Sequence, residues 1–165
     1  MARNKVQRVS GIPAARHIAQ ETPFNALAVG TLVLTLDGAL PVEYLAPGDR
    51  VITRDSGTAR LRALHAHRRR LAAVTITPGT LGHMRPDHEV TLPAMQEILL
   101  RDWRASALFG ADQALVPLAR LVDGTFIREV GKLDLHLCEL VFDTPHILYA
   151  DGLELASAGA QQALA

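Results

Sequence analysis

The chain has 165 residues, 48% of them apolar, which is enough for one core. Its 17 basic and 17 acidic side chains balance, so no net field draws it to nucleic acid or to a membrane surface. A single cysteine excludes an intramolecular disulfide framework, and there is no run of about 18 apolar residues to span a bilayer.

Residues 1–25 are polar, with Arg3, Lys5, Arg8 and Arg16, and show no sustained helical or strand period. Pro13 breaks any helix there. The segment reads as a flexible basic arm with one short helix near residues 14–20. It has neither the apolar centre of a secretory signal nor stacking aromatics for nucleic acid, so a cytoplasmic protein without nucleic-acid or membrane partners is expected.

From Ala28 the texture changes. Leu32, Val33 and Leu34 form a short apolar run, as in a strand buried on both faces. Asp37-Gly38 predicts a tight turn, and residues 40–45 suit a strand or a single helical turn. Pro47-Gly48-Asp49 predicts a turn before a strand at residues 50–54, and Asp55-Ser56-Gly57 turns the chain again. A further strand at residues 59–64 leads into His65, His67, Arg68, Arg69 and Arg70. This knot of charge reads as a solvated hairpin end, with an anion or partner contact as the sharper alternative.

Residues 71–77 are rich in β-branched side chains and predict a strand that Pro78-Gly79 ends. Residues 79–87 read as a loop, and strands are predicted at 90–92 and 97–100 on either side of Pro93. Residues 101–110, with Trp103 and Phe109, read as a loop excursion pinned to the core. Strand and helical-turn character follows at 114–121, a turn at Val122-Asp123-Gly124, and strands at 127–130, 134–142 and 147–150. The last residues, 156–165, predict a frayed tail or short helix. Many short strands between turn signals, with no long helical period, predict an all-β domain over residues 26–155 between an arm (1–25) and a tail (156–165).

Four blocks then carry a resemblance. The first is Gly30-Thr31, Val33, Thr35 and Asp37-Gly38, followed by Pro41-Val42-Glu43, Leu45, Pro47-Gly48-Asp49 and Val51. The others are Leu99-Leu100-Arg101-Asp102-Trp103-Arg104; Val116-Pro117 with Ala119, Leu121, Val122 and Gly124; and His146-Ile147-Leu148-Tyr149-Ala150-Asp151-Gly152. In this order they resemble Hint domains, the self-processing modules of Hedgehog proteins and inteins, in their bacterial branch. The resemblance implies a compact, horseshoe-like, all-β fold with internal pseudo-twofold symmetry.

It also implies a chemistry. A Cys or Ser at the start of the domain attacks the preceding carbonyl, and a second nucleophile resolves the ester or thioester. That nucleophile's position, four residues before Gly30, is Ala26, and a methyl group cannot attack a carbonyl. The family's Thr-x-x-His pair falls on Pro93 and Gln96 when the block beginning at Leu99 is the anchor. An alternative register through Pro86-Asp87-His88 needs an eight-residue shift. Gln96 can hydrogen-bond but cannot relay a proton near neutral pH. The acidic position falls on Glu139, and His146 matches the histidine of the last block. The terminal His-Asn pair of splicing members is absent from residues 153–158. Some inteins begin with alanine and attack through a cysteine of the last block, which points to Cys138.

The seven histidines form no ligand spacing, so neither metal nor cofactor is expected. Three functional readings follow. The first is a Hint domain that has lost self-cleavage and acts as a structural or interaction module, its protein partner unknown. The second is atypical autoprocessing through Cys138. The third is an unrelated small β-barrel that binds an anionic ligand at Arg68, Arg69 and Arg70.

Overall fold

Glycine punctuation sets the first hairpin. Strand β3 (Leu32–Thr35) turns through Leu36 and Asp37 into β4 (Gly38–Pro41), and Gly38 takes φ +101°, which a side chain would resist. The computed structural model describes residues 7–8, 22–82 and 84–159. Before the hairpin lie β1 (Gln7–Arg8) and β2 (Leu27–Ala28); after it come a 3-10 turn (Val42–Tyr44), β5 (Arg50–Thr53) and β6 (Gly57–Arg60). The long β7 (Ala63–Ile76) follows, then β8 (Val90–Pro93), β9 (Glu97–Leu100) and helix α1 (Trp103–Phe109). The chain ends through β10 (Ala114–Pro117), a 3-10 turn (Leu118–Leu121), β11 (Ile127–Val141), β12 (Ile147–Ala150) and β13 (Leu153–Ala156).

Among the described residues these strands form two sheets. One runs β1-β10-β9-β13-β12-β3-β5-β6, with β4 on β3; the other runs β2-β11-β7-β8. Every pairing is antiparallel except β1 with β10. One core joins the sheets, with Ile76, Leu92 and Ile127 meeting Ile98, Leu148 and Leu155. The all-β architecture expected from the strand count is present, as open sheets rather than a closed barrel.

Several local expectations change. Strand β3 is not buried on both faces: Val33 and Thr35 point inward while Leu32 and Leu34 are exposed. The charged knot at residues 65–70 is no hairpin end. It lies mid-strand in β7, paired with β11 from Ala63↔Val141 to Ile127↔Ile76. Likewise, the two strands expected at 127–130 and 134–142 are one strand, irregular between Glu129 and Gly131, where Gly131 takes φ +76°. Charged side chains on a solvated face do not interrupt pleated backbone, so neither break was real.

The excursion at residues 101–110 contains α1, whose N-terminus Asp102 caps by accepting from the Arg104 N–H at 3.0 Å and whose end Gly110 closes at φ +64°. Phe109 packs on the core, but Trp103 is 68% exposed, so it pins nothing. Residues 153–156 form β13, wholly buried, and Ser157 and Ala158 stay buried beyond it, where a frayed tail was expected. At the other end, Gln7–Arg8 pairs with Ala114 and Leu115, and the helix expected near residues 14–20 lies outside the described residues.

Candidate functional site

The two residues that lead into Ala26, Phe24 and Asn25, are held at the corner between β8 and β9. Strand β8 ends at Pro93, the chain turns through the Gln96 N–H on the Pro93 carbonyl (3.0 Å), and β9 begins. That corner receives the incoming segment. The Phe24 N–H donates to the Met95 carbonyl at 3.1 Å, and the Glu97 N–H donates to Asn25 Oδ1 at 2.8 Å. Asn25 Nδ2 donates to Glu97 Oε1 at 3.0 Å and to the Ser157 carbonyl at 3.2 Å. Asn25 is buried, and these three bonds satisfy both ends of its amide. Ala26 is buried beside it, and Leu27 enters β2 opposite Cys138.

Gln96 sits between the two residues that hold Phe24 and Asn25. It is fully buried, and Nε2 donates to the Glu97 carbonyl at 2.8 Å and the Ala156 carbonyl at 3.0 Å. Its Oε1 is buried with no hydrogen-bond partner among the described residues. His88, the alternative, lies elsewhere: Asp87 binds its Nδ1, and its Nε2 stands 3.6 Å from Asp151 Oδ2 at the turn between β12 and β13. The hydrogen bond to Asp87 raises the His88 pKa above its ordinary value, partial burial opposes this, and Asp151 adds to it.

Cys138 and Glu139 are neighbours on β11, so their side chains leave opposite faces. Cys138 joins Leu27 and Leu140 in the core, and burial pushes its thiol pKa up, with the charge of Glu43 adding to the effect. Glu139 faces a groove, with Oε2 4.0 Å from His67 Nε2. That imidazole stacks on Phe24, ring centroids 6.0 Å apart, and the Arg69 guanidinium covers the same ring at 5.1 Å.

His146 is braced from both sides. Its Nδ1 lies 2.9 Å from Asp55 Oδ2, and Asp55 Oδ1 accepts the Ile147 N–H at 3.0 Å. Its backbone N–H donates to Ser157 Oγ, and its carbonyl accepts from the Ser157 N–H, both at 2.9 Å. Gln96 and His146 therefore meet the same end segment, one through Ala156 and the other through Ser157.

The structure thus gathers Asn25, Ala26, Gln96 and His146 around residues 156–157, and leaves Cys138 facing the core. Sequence reasoning missed three participants. Asn25 was weighed only as an absent nucleophile, Asp55 only as a turn residue, and Ser157 as tail. The partner of Asp55 lies 91 positions away, a separation that no local pattern spans.

Among the described residues no three His, Cys, Asp or Glu side chains converge as a metal site, and no helix is long and apolar enough to cross a membrane. A family model described as "Hint domain" matches residues 25–161. The fold is similar to a DnaB intein from Synechocystis sp. PCC 6803, at 11% identity over 81% of this chain and 98% of that one, TM-score 0.57. It is also similar to a bacterial intein-like domain from Clostridium thermocellum, at 15% identity over 82% and 99%, TM-score 0.52. No curated protein matches the chain.

Proposed function

Because the chain belongs to the Hint domain family, we propose that it keeps the Hint frame, has given up self-cleavage, and serves as a structural or interaction module. The observation that carries this reading is the junction itself. The side chain of Asn25, the residue before Ala26, is docked by Glu97 and Ser157, yet Ala26 brings a methyl group and Gln96 a carboxamide. Acyl transfer needs a nucleophile and a group that passes a proton to the leaving amine, and neither residue supplies one.

The test is the intact mass of the purified protein, with and without added thiol or hydroxylamine. The full-length mass is expected throughout, and a fragment beginning at Ala26 overturns the reading. Family membership sets aside the third reading, an unrelated barrel.

One observation favours Cys138 as a second reading: β11 puts it directly opposite Leu27, one residue past the junction. In that reaction Sγ attacks the Asn25 carbonyl carbon, the C–N bond to Ala26 breaks, and the thiol proton passes to the Ala26 amine. Water, added thiol or hydroxylamine then attacks the thioester carbonyl, breaks its bond to Sγ and releases residues 1–25 while Cys138 regains its proton. Against it stand the core-facing side chain and the raised thiol pKa. If this reading holds, cleavage occurs in the parent and disappears in Cys138→Ala; cleavage at the parent's rate in that variant removes it.

A further inference from the structure

Among the described residues, strand β7 has one edge only partly covered. Strand β8 pairs with it at residues 73–76, and the Ala94 N–H donates to the Ala72 carbonyl at 2.9 Å. Before that point, no described strand lies on this edge of residues 64–71.

The direction of the backbone groups follows from two independent bonds. The Ala72 carbonyl points to this edge. On the far side of β11, the His136 carbonyl accepts from the Val29 N–H at 2.9 Å, and His136 lies directly opposite Arg68. Opposed residues in an antiparallel ladder either bond each other or both face away, so the Arg68 N–H and C=O face the open edge. The same parity holds for Ala66 and Arg70. At Ala66 the edge borders a groove of about 880 Å³ that His67 and Arg69 also line, and whose other walls include Phe24 and residues 93–95.

The side chains along the edge select what binds. His65, His67, Arg68, Arg69 and Arg70 occupy five of six positions. Asp134 lies 3.2 Å from Arg70, and Glu139 approaches His67, while Arg68 and Arg69 have no carboxylate partner among the described residues. A second copy added antiparallel here would set arginines against arginines, which is unfavourable. Residues 1–21 are themselves basic and fit no better.

We propose that the open edge of β7, at Ala66, Arg68 and Arg70, takes an extended acidic peptide segment of a partner protein by strand addition. The backbone ladder supplies affinity, and the cationic side chains on both faces select Glu- or Asp-bearing strands. A matching segment of five residues is about 17 Å long.

The probe is a fluorescein-labelled, end-capped heptapeptide alternating Glu and Val, titrated into the full chain. Saturable binding is expected, weakening with salt and slowing amide exchange at Ala66, Arg68 and Arg70. The same peptide N-methylated on its ladder-facing amides is expected to bind at least about tenfold more weakly. In Arg68→Glu/Arg69→Glu, checked for the parent's circular dichroism spectrum, preference is expected to reverse toward a Lys-Val heptapeptide. Four results each overturn the proposal: no binding of the Glu-Val peptide, equal binding of the N-methylated peptide, equal binding of the Lys-Val peptide by the parent, or tighter binding of polyuridylate than of the Glu-Val peptide. The measurement does not depend on whether the chain cleaves itself, so it stands apart from the mass test.

Discussion

Asn25 holds the segment that leads into Ala26 through its side-chain amide. The bonds that dock it join Asn25 to Glu97 and Ser157. Ala26 contributes only a buried methyl group, so the docking does not depend on its side chain. At the same scale, His88 ties the loop after β7 to the turn between β12 and β13. Its pKa is raised in the folded state, chiefly by the Asp87 hydrogen bond, so its contribution is full below the unfolded value near 6.5 and is lost as pH rises through the folded value. His88→Asn is therefore expected to lower stability by about 0.5 kcal/mol at about pH 5, after solvent screening of an exposed pair, and to change little at about pH 8.5. Urea unfolding midpoints at the two pH values check this; an equal loss at both defeats the linkage. Gln96 and His146 were singled out from block spacing along the chain, a local pattern, and both prove to bond the segment at residues 156–157. Asn25, Asp55 and Ser157 were not, because their roles arise from partners that only folding brings near.

The element that most repays attention is the pair β7 and β11. Its register is continuous except at the extra residue Val130, which Gly131 accommodates at φ +76°. A Cβ at Gly131 would meet no atom within 4 Å, so substitution there costs backbone strain and no clash. Gly131→Ala is expected to destabilise by about 1 kcal/mol and lower Tm by roughly 2–4 °C, with the circular dichroism spectrum unchanged. A scanning thermal melt checks it, and an unchanged Tm means that the bulge relaxes freely. Turns were the readable part of the elements, since Asp37-Gly38, Gly48 and Gly124 mark them chemically. Strand continuity was not readable, because the arginines in mid-β7 look like the end of an element when judged by polarity. The helix α1 did leave a signal, the capping Asp102 eight residues before Gly110, which the exposed Trp103 obscured. Strand β13 left little: Leu153, Glu154, Leu155 and Ala156 are all buried, and Glu154 is held by Arg101 at 2.6 Å rather than by solvent.

For the whole molecule, the decisive fact is that Asn25 and Ser157, 132 positions apart, touch through a side chain and a carbonyl at 3.2 Å. A circular permutant is expected to fold if it joins residue 159 to residue 22 through a short Gly-Ser linker and opens between Leu36 and Asp37. The permutant omits β1, whose two residues pair with the edge of β10, and the new opening lies in an exposed two-residue turn, where no ladder bond is lost. Its circular dichroism spectrum and a single cooperative unfolding transition would match those of the parent; a broad, non-cooperative melt would contradict this. The overall class was legible from the sequence because strand count and turn spacing survive local error. The closing of one end on the other was not, since it depends on buried polar groups finding one another late in the chain.

That contact has a further consequence, measured in chain entropy. A host protein into which residues 25–157 were inserted would meet an entry and an exit only one hydrogen-bonded contact apart. The closure penalty of so long an insertion, which grows with the logarithm of its length in an unfolded loop, falls on the guest's own folding. Once folded, the guest presents its host with the geometry of a short turn. Such an insertion is therefore close to neutral for the architecture around it.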